Sequence, residues 1–154
     1  MLRHDLEPLN EVQSRGYFET IILPLSAVGH CWAVHETATA RLIGTSALTD
    51  VTRPPGSALF RLVIGAKDRW GRGYGTEATR LVVLEAFTTL GLDQIRLEVF
   101  RHNERALAAY RRVGFAVTGE HTEWVGRHRF QLHVVEMALD RRAFAGPAGE
   151  PLLP

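Results

Sequence analysis

Short runs in which apolar and polar residues alternate, together with two longer runs in which apolar residues recur every three or four positions, predict strands and helices within one fold. Cys31 to His35 and Arg41 to Thr49 are rich in β-formers and flank Glu36-Thr-Ala-Thr-Ala40, so an antiparallel hairpin is expected. Thr52 to Ser57, with Pro54-Pro55-Gly56 at its centre, demands a turn. Ala58 to Gly65 follows, and Leu59-Phe-Arg-Leu-Val-Ile64 is apolar enough to lie inside a sheet. Tyr74 to Leu90 reads as a helix stopped by Gly91; most of its surface is apolar, so cover on more than one side is expected. Ile95 to Phe100 predicts another strand. Asn103 to Val113 predicts a second helix, with Asn103 as N-cap and Gly114 just past its end. Phe115 to Glu120 and Phe130 to Leu139 read as closing strands joined around Trp124-Val-Gly126. At the front, residues 1–16 are polar without a clear period, and Tyr17 to Val28 form an apolar run broken by Pro24, which reads as a short helix or irregular segment. Arg141 onward, with Gly146-Pro147 and Pro151, predicts a frayed tail. The sum is an α+β domain: an antiparallel opening, a strand–helix–strand–helix centre and antiparallel closing strands.

A length of 154 residues suits one domain, taken here as 1–144 with 145–154 as a flexible tail. The hydrophobic fraction of 45% and charged fraction of 23% are those of a globular protein and argue against disorder. A net charge of +1 is too balanced for a protein that coats nucleic acid or an anionic membrane, so any bound anion should be small. Lys67 is the only lysine among 18 basic residues; the rest are arginines, with planar forks suited to phosphate. Cys31 stands alone, which rules out an internal disulfide or a thiolate zinc site, and no metal is expected. No apolar run reaches the ~18 residues of a membrane span, and the acidic, broken N-terminus is unlike a signal peptide. A cytoplasmic location is expected.

Two segments carry the chemistry. In Lys67-Asp-Arg-Trp-Gly-Arg-Gly-Tyr-Gly-Thr-Glu-Ala78, glycines at alternate positions (Gly71, Gly73 and Gly75) lie between a buried strand and a long helix. Backbone N–H groups and the helix dipole converge there, the absent Cβ atoms let an anion approach closely, and Arg69 and Arg72 can add charge. A phosphate site is the expectation. A nucleotide-triphosphate loop is excluded, because no Gly-x-x-x-x-Gly-Lys-Ser/Thr is present. Gly73 to Ala78 fits the looser dinucleotide fingerprint, yet Ala66 to Trp70 and at least two earlier strands separate it from the position that fingerprint requires. The second segment, Arg101 to Phe115, sets Asn103, Ala106 and Tyr110 on one helical stripe. An amide there can bond a peptide-like ligand, an alanine lets it lie close, and a phenol can donate a proton.

Together these segments resemble the GNAT superfamily of acetyl-coenzyme A dependent N-acetyltransferases, over roughly Ala58 to Leu139. Trp70-Gly-Arg-Gly-Tyr-Gly-Thr-Glu-Ala78 is similar in particular to the branch that acetylates ribosomal-protein N-termini and related amines, so a protein N-terminus or a small-molecule amine is the implied acceptor. The resemblance implies a mixed, mostly antiparallel central sheet flanked by helices, with acetyl-CoA as co-substrate and an amine as acceptor. It implies that Val63, Ile64 and Gly65 offer main-chain groups to the pantetheine arm. Trp70, Gly71, Arg72, Gly73, Tyr74, Gly75 and Thr76 would cradle the pyrophosphate, Asn103 would bond pantetheine, and Tyr110 would protonate the departing thiolate. Relatives often carry an acid near the start of the strand before the glycine loop, but Ser57-Ala-Leu-Phe60 has none. The base is therefore open among Glu98, Glu123, His133, Glu136 and a water relay. Family members begin with a strand and two helices, so about thirty residues before the hairpin imply a shortened N-terminus. Trp32, Trp124, Arg127 and His128 are candidates for the acceptor cleft. A non-catalytic acyl-CoA sensor is the alternative, a nicotinamide enzyme a weaker one, and a homodimer would fit an incomplete front half.

Overall fold

The computed structural model describes residues 10–125 and 130–146. It opens with α1 (Glu11–Tyr17) and α2 (Leu23–Ala27), joined by a π-helical turn at Phe18–Ile22. Asn10 starts α1 with a reciprocal cap: its side chain accepts from the Gln13 N–H at 2.8 Å, and Gln13 accepts from the Asn10 N–H at 3.1 Å. The helix thus begins earlier than the apolar run predicts, because its start is set by capping chemistry. A first strand ahead of these helices would fall before Asn10, outside the described residues.

Six strands follow: β1 (Cys31–His35), β2 (Leu42–Thr52), β3 (Ser57–Ile64), β4 (Gln94–Phe100), β5 (Ala116–Val125) and β6 (Phe130–Asp140). They form one sheet in the order β1-β2-β3-β4-β6-β5, antiparallel at every joint except β3 to β4. That single parallel joint needs a crossover. It is supplied by α3 (Tyr74–Thr88), and α4 (Glu104–Val113) links β4 to β5. The parallel pairing runs only from Ser57 opposite Gln94 to Leu59 opposite Arg96. Meanwhile β3 stays paired with β2 as far as Ile64, and β4 with β6 as far as Phe100. The sheet therefore splits between β3 and β4 beyond Leu59, leaving two strand edges that face a gap.

The core packs α3 and α4 onto one sheet face. Leu48, Phe60, Ile95, Leu97, Val99 and Met137 meet Val83 and Leu107 there. Only one stripe of α3 is buried, comprising Ala78, Thr79, Val82, Val83, Ala86 and Phe87, while Leu81 is 58% exposed. This corrects the expectation of cover on several sides: the 3–4 spacing of that stripe decides the packing, Leu84 and Leu90 flank it half-buried against the core, and Leu81 faces outward. Two further expectations change. Trp124 continues β5 opposite Gln131, so it belongs to a strand and not to a connection. The chain after Arg141 is anchored as far as Phe144, which is 1% exposed and packs on Phe87 with ring centroids 5.7 Å apart. Arg127, His128 and residues 147–154 lie outside the described residues. No helix among the described residues is long and apolar enough to cross a membrane.

Candidate active site

The gap between β3 and β4 opens into a cleft of about 260 Å³ on the α3/α4 face. The first wall is the glycine loop. After the short 3-10 turn Lys67–Arg69, Gly71 and Gly73 take left-handed backbone angles of φ 74° and 85°. Gly73 is the N-cap of α3 and has no side chain with which to cap the N–H groups of the first turn. Those N–H groups and the positive end of the helix dipole are open to an anion. Gly71, Gly73, Tyr74, Gly75 and Thr76 all line the cleft.

The opposite wall is α4. Asn103, Ala106 and Tyr110 line the same cleft, as their spacing predicts. The Asn103 side-chain oxygen caps α4, accepting from the Ala106 N–H at 3.2 Å, which leaves its amide NH₂ for a ligand. Tyr110 is 9% exposed and wedged edge-on between Phe60 and Phe115, with centroids 6.3 and 6.0 Å away. Burial pushes its phenol up to about 12, so it is a neutral proton donor throughout the ordinary pH range. Set between these rings, it lines the cleft.

The floor is β3. A Cβ on Gly44 would fall 2.2 Å from the Val63 carbonyl oxygen, so the Val63 main chain faces β2. Alternation turns the main-chain groups of Leu62 and Ile64 toward the gap, and both residues line the cleft. Val63 and Gly65 do not line it. The Ile64 carbonyl already accepts the Trp70 indole N–H at 2.7 Å, and the Arg105 guanidinium lies 4.0 Å over the Trp70 ring. Trp70 is thereby fixed as a side wall.

Charge in the cleft is one-sided. Arg69, Arg105 and Arg112 line it, with no carboxylate among the described lining residues. Arg69, however, is committed to Glu36 and Asp68, and Arg72 is exposed outside the lining. Among the described residues, the cations lining the cleft without a carboxylate partner are therefore Arg105, which lies over Trp70, and Arg112. Glu36 itself escapes sequence reasoning. It is 5% exposed at the end of β1, with Oε1 receiving the Tyr74 hydroxyl at 2.6 Å and lying 3.0 Å from Arg69 Nε. The Thr39 and Tyr74 hydroxyls, and then Arg69, hold its carboxyl below the usual carboxylate range.

Of the proton-acceptor candidates, Glu123 and Glu136 gather around His121. Its ring nitrogens lie 2.6 Å from Glu136 and 3.3 Å from Glu123. Glu98 stands opposite Glu136 in register. Strand alternation puts Glu98 on the sheet face away from Leu97 and Val99, hence away from α3 and α4. His133 is exposed on β6 and does not join this cluster. Trp32 packs against the core, and Trp124 is 64% exposed; neither lines the cleft.

A split sheet, a glycine-rich helix start and an amide-to-phenol stripe thus meet in one cleft. Residues 1–116 match the acetyltransferase (GNAT) domain family, and the chain belongs to that family. Spermidine N(1)-acetyltransferase of Escherichia coli K12 is 34% identical over 77 residues, a stretch spanning 50% of this chain and 41% of that enzyme. The chain thus matches less than half of that relative's length. Among solved structures, the spermidine N-acetyltransferase of Vibrio cholerae in complex with CoA and spermine shares the fold, with a TM-score of 0.73 at 23% identity over 87% of this chain and 78% of that one. The spermidine/spermine N-acetyltransferase SpeG of the same organism, solved with manganese ions, is 27% identical with a TM-score of 0.63, covering 71% of this chain and 64% of that one.

Proposed function

We propose that the chain is an acetyl-CoA dependent N-acetyltransferase whose acceptor is a primary amine of a small polyamine. The observation that carries the reading is the single cleft in which the open first turn of α3 faces Tyr110 across the gap in the sheet. The pyrophosphate would meet the N–H groups of Gly71 to Thr76, with Arg105 and Arg112 beside them. The pantetheine amides would pair with the free edge of β3 at Leu62 and Ile64 and with Asn103, as an added strand does.

The amine nitrogen attacks the thioester carbonyl carbon, the carbonyl electrons move to oxygen, and their return expels the coenzyme A thiolate. Tyr110 passes its proton to that sulfur and is reprotonated from solvent, while the amine's proton leaves to a base or water. Burial sets the phenol, at about 12, above an ordinary thiol at ~8.5, so the transfer runs uphill. Desolvation raises the thiol as well and narrows that gap. The amine would approach through the split from the opposite sheet face, where Glu98, Glu123 and Glu136 favour a polycation.

The related enzymes named above act, by their names, on spermidine, and this moves the acceptor away from the ribosomal-protein N-terminus that the loop motif suggests. The test is thiol release from acetyl-CoA over spermidine, spermine, an aminoglycoside and an alanyl peptide. Release with the polyamines is expected. Release with the peptide alone overturns the acceptor, and coenzyme A binding without release on any amine overturns the catalytic reading.

A further inference from the structure

Glu36 is a buried carboxylate placed beside a loop built to receive an anion. That placement is costly twice over, through desolvation and through repulsion of the ligand, unless its negative charge is fully matched. It is matched: the hydroxyls of Thr39 and Tyr74 and the guanidinium of Arg69 surround it. Two of these partners belong to the glycine-loop region. Arg69 ends the 3-10 turn that leads into the loop, and Tyr74 is the first residue of α3. A second tie runs alongside, from Arg41 on β2's side of the same hairpin to Asp68 at 2.8 Å. Within the loop between Arg69 and Tyr74, Trp70 is held by the Ile64 carbonyl and by Arg105 over its ring, but the two left-handed glycines that follow have nothing within 4 Å of a Cβ at either. That glycine stretch takes its shape from its neighbours, and Glu36 grips the residues Arg69 and Tyr74 on either side of it.

We propose that Glu36 is a positioning residue for the coenzyme A site: by gripping Arg69 and Tyr74 together, it fixes the Gly71 to Gly75 main chain so that its N–H groups converge on the pyrophosphate. This rests on reading the cleft as an acyl-CoA site. It also explains why Arg69, the cation nearest in sequence to the loop, is turned away from the ligand: its charge serves the clamp.

The test is calorimetric titration with coenzyme A alongside steady-state kinetics of wild type, Glu36→Gln and Tyr74→Phe. Removing a charge-assisted hydrogen bond should weaken coenzyme A binding and raise KM for acetyl-CoA about tenfold in Glu36→Gln, and about threefold in Tyr74→Phe. The KM for the amine and kcat at saturating acetyl-CoA should each move by less than about twofold, because Tyr110 and β3 are untouched. The loss should also shrink when acetyl-pantetheine, which has no pyrophosphate, replaces acetyl-CoA as donor. Coenzyme A affinity retained in folded Glu36→Gln overturns the proposal, as does an equal loss of kcat with both donors. If Glu36→Gln does not fold, Tyr74→Phe decides alone, since it leaves the Glu36–Arg69 ion pair in place. Wild type that does not bind coenzyme A overturns the reading of the cleft itself; binding by wild type with both variants unaffected overturns only the clamp.

Discussion

At the scale of single residues, Tyr110 serves both packing and chemistry, and the two can be separated. Its ring fills space between Phe60 and Phe115, and the residue lines the cleft where a ligand would sit. Tyr110→Phe keeps the ring and removes the proton, so turnover should fall by ~10²–10⁴-fold while coenzyme A affinity is retained. Thiol-release kinetics with parallel titration measure both; unchanged turnover would remove Tyr110 from the role of acid. His121 gives a different kind of prediction. Glu136 and then Glu123 raise its pKa in the folded protein, so the folded state holds the proton more tightly than the unfolded chain does. The stabilisation is complete below the unfolded value of ~6.5 and is lost as pH rises through the folded value. The Tm deficit of His121→Gln against wild type should therefore be largest near pH ~5.5 and shrink toward pH ~9. A deficit that does not change with pH would mean the ring acts by packing alone.

Elements are where sequence and structure part company, and Gly44 shows why. In β2 it looks like a weak point in a strand, yet a Cβ there would collide with the Val63 main chain at 2.2 Å. Gly44→Ala should cost about 3 kcal/mol and lower Tm by roughly 6–12 °C, which a thermal melt will show. Phe144→Ala, at the anchored end of the chain, should cost about 3–5 kcal/mol because a fully buried aromatic leaves a cavity against Phe87. If it cost nothing, the chain after Arg141 would be the frayed tail its composition suggests. Signals confined to a few residues are legible in the sequence. The β1–β2 hairpin, the glycine loop, the Asn103 cap and the Asn103/Ala106/Tyr110 stripe all depend on local spacing, and all stand where that spacing puts them. Glu36 is not legible, because its partners lie 33 and 38 residues away and its Glu-Thr-Ala-Thr-Ala setting reads as a solvated turn. Glu123 and Glu136 are visible as acids, but only the β5–β6 register brings them to one histidine. The anchoring of Phe144 is hidden for the same reason: its contacts are made with a helix far back in the chain.

For the molecule as a whole, the weakest seam of the fold coincides with its candidate site. Every antiparallel joint is long, whereas β3 and β4 share only the stretch Ser57 to Leu59 against Gln94 to Arg96. The unpaired edges beyond it are backbone groups that a ligand can complete, so binding and stability are coupled through this one place. In the free protein, amides at the open edges, Leu62 and Ile64 on β3 and Glu98 and Phe100 on β4, should exchange with solvent sooner than those inside the β2–β3 and β4–β6 ladders. Saturating coenzyme A should slow the β3 edge and the first turn of α3 most, and at ~100 times its Kd should add about 2.7 kcal/mol to global stability. Hydrogen-exchange mass spectrometry with and without ligand reads both effects, one as local protection and the other as a uniform slowing of the most protected core amides such as Val83 and Leu97. Protection spread evenly over the sheet, with none concentrated at β3 and α3, would mean that the ligand stabilises the fold from somewhere other than the split.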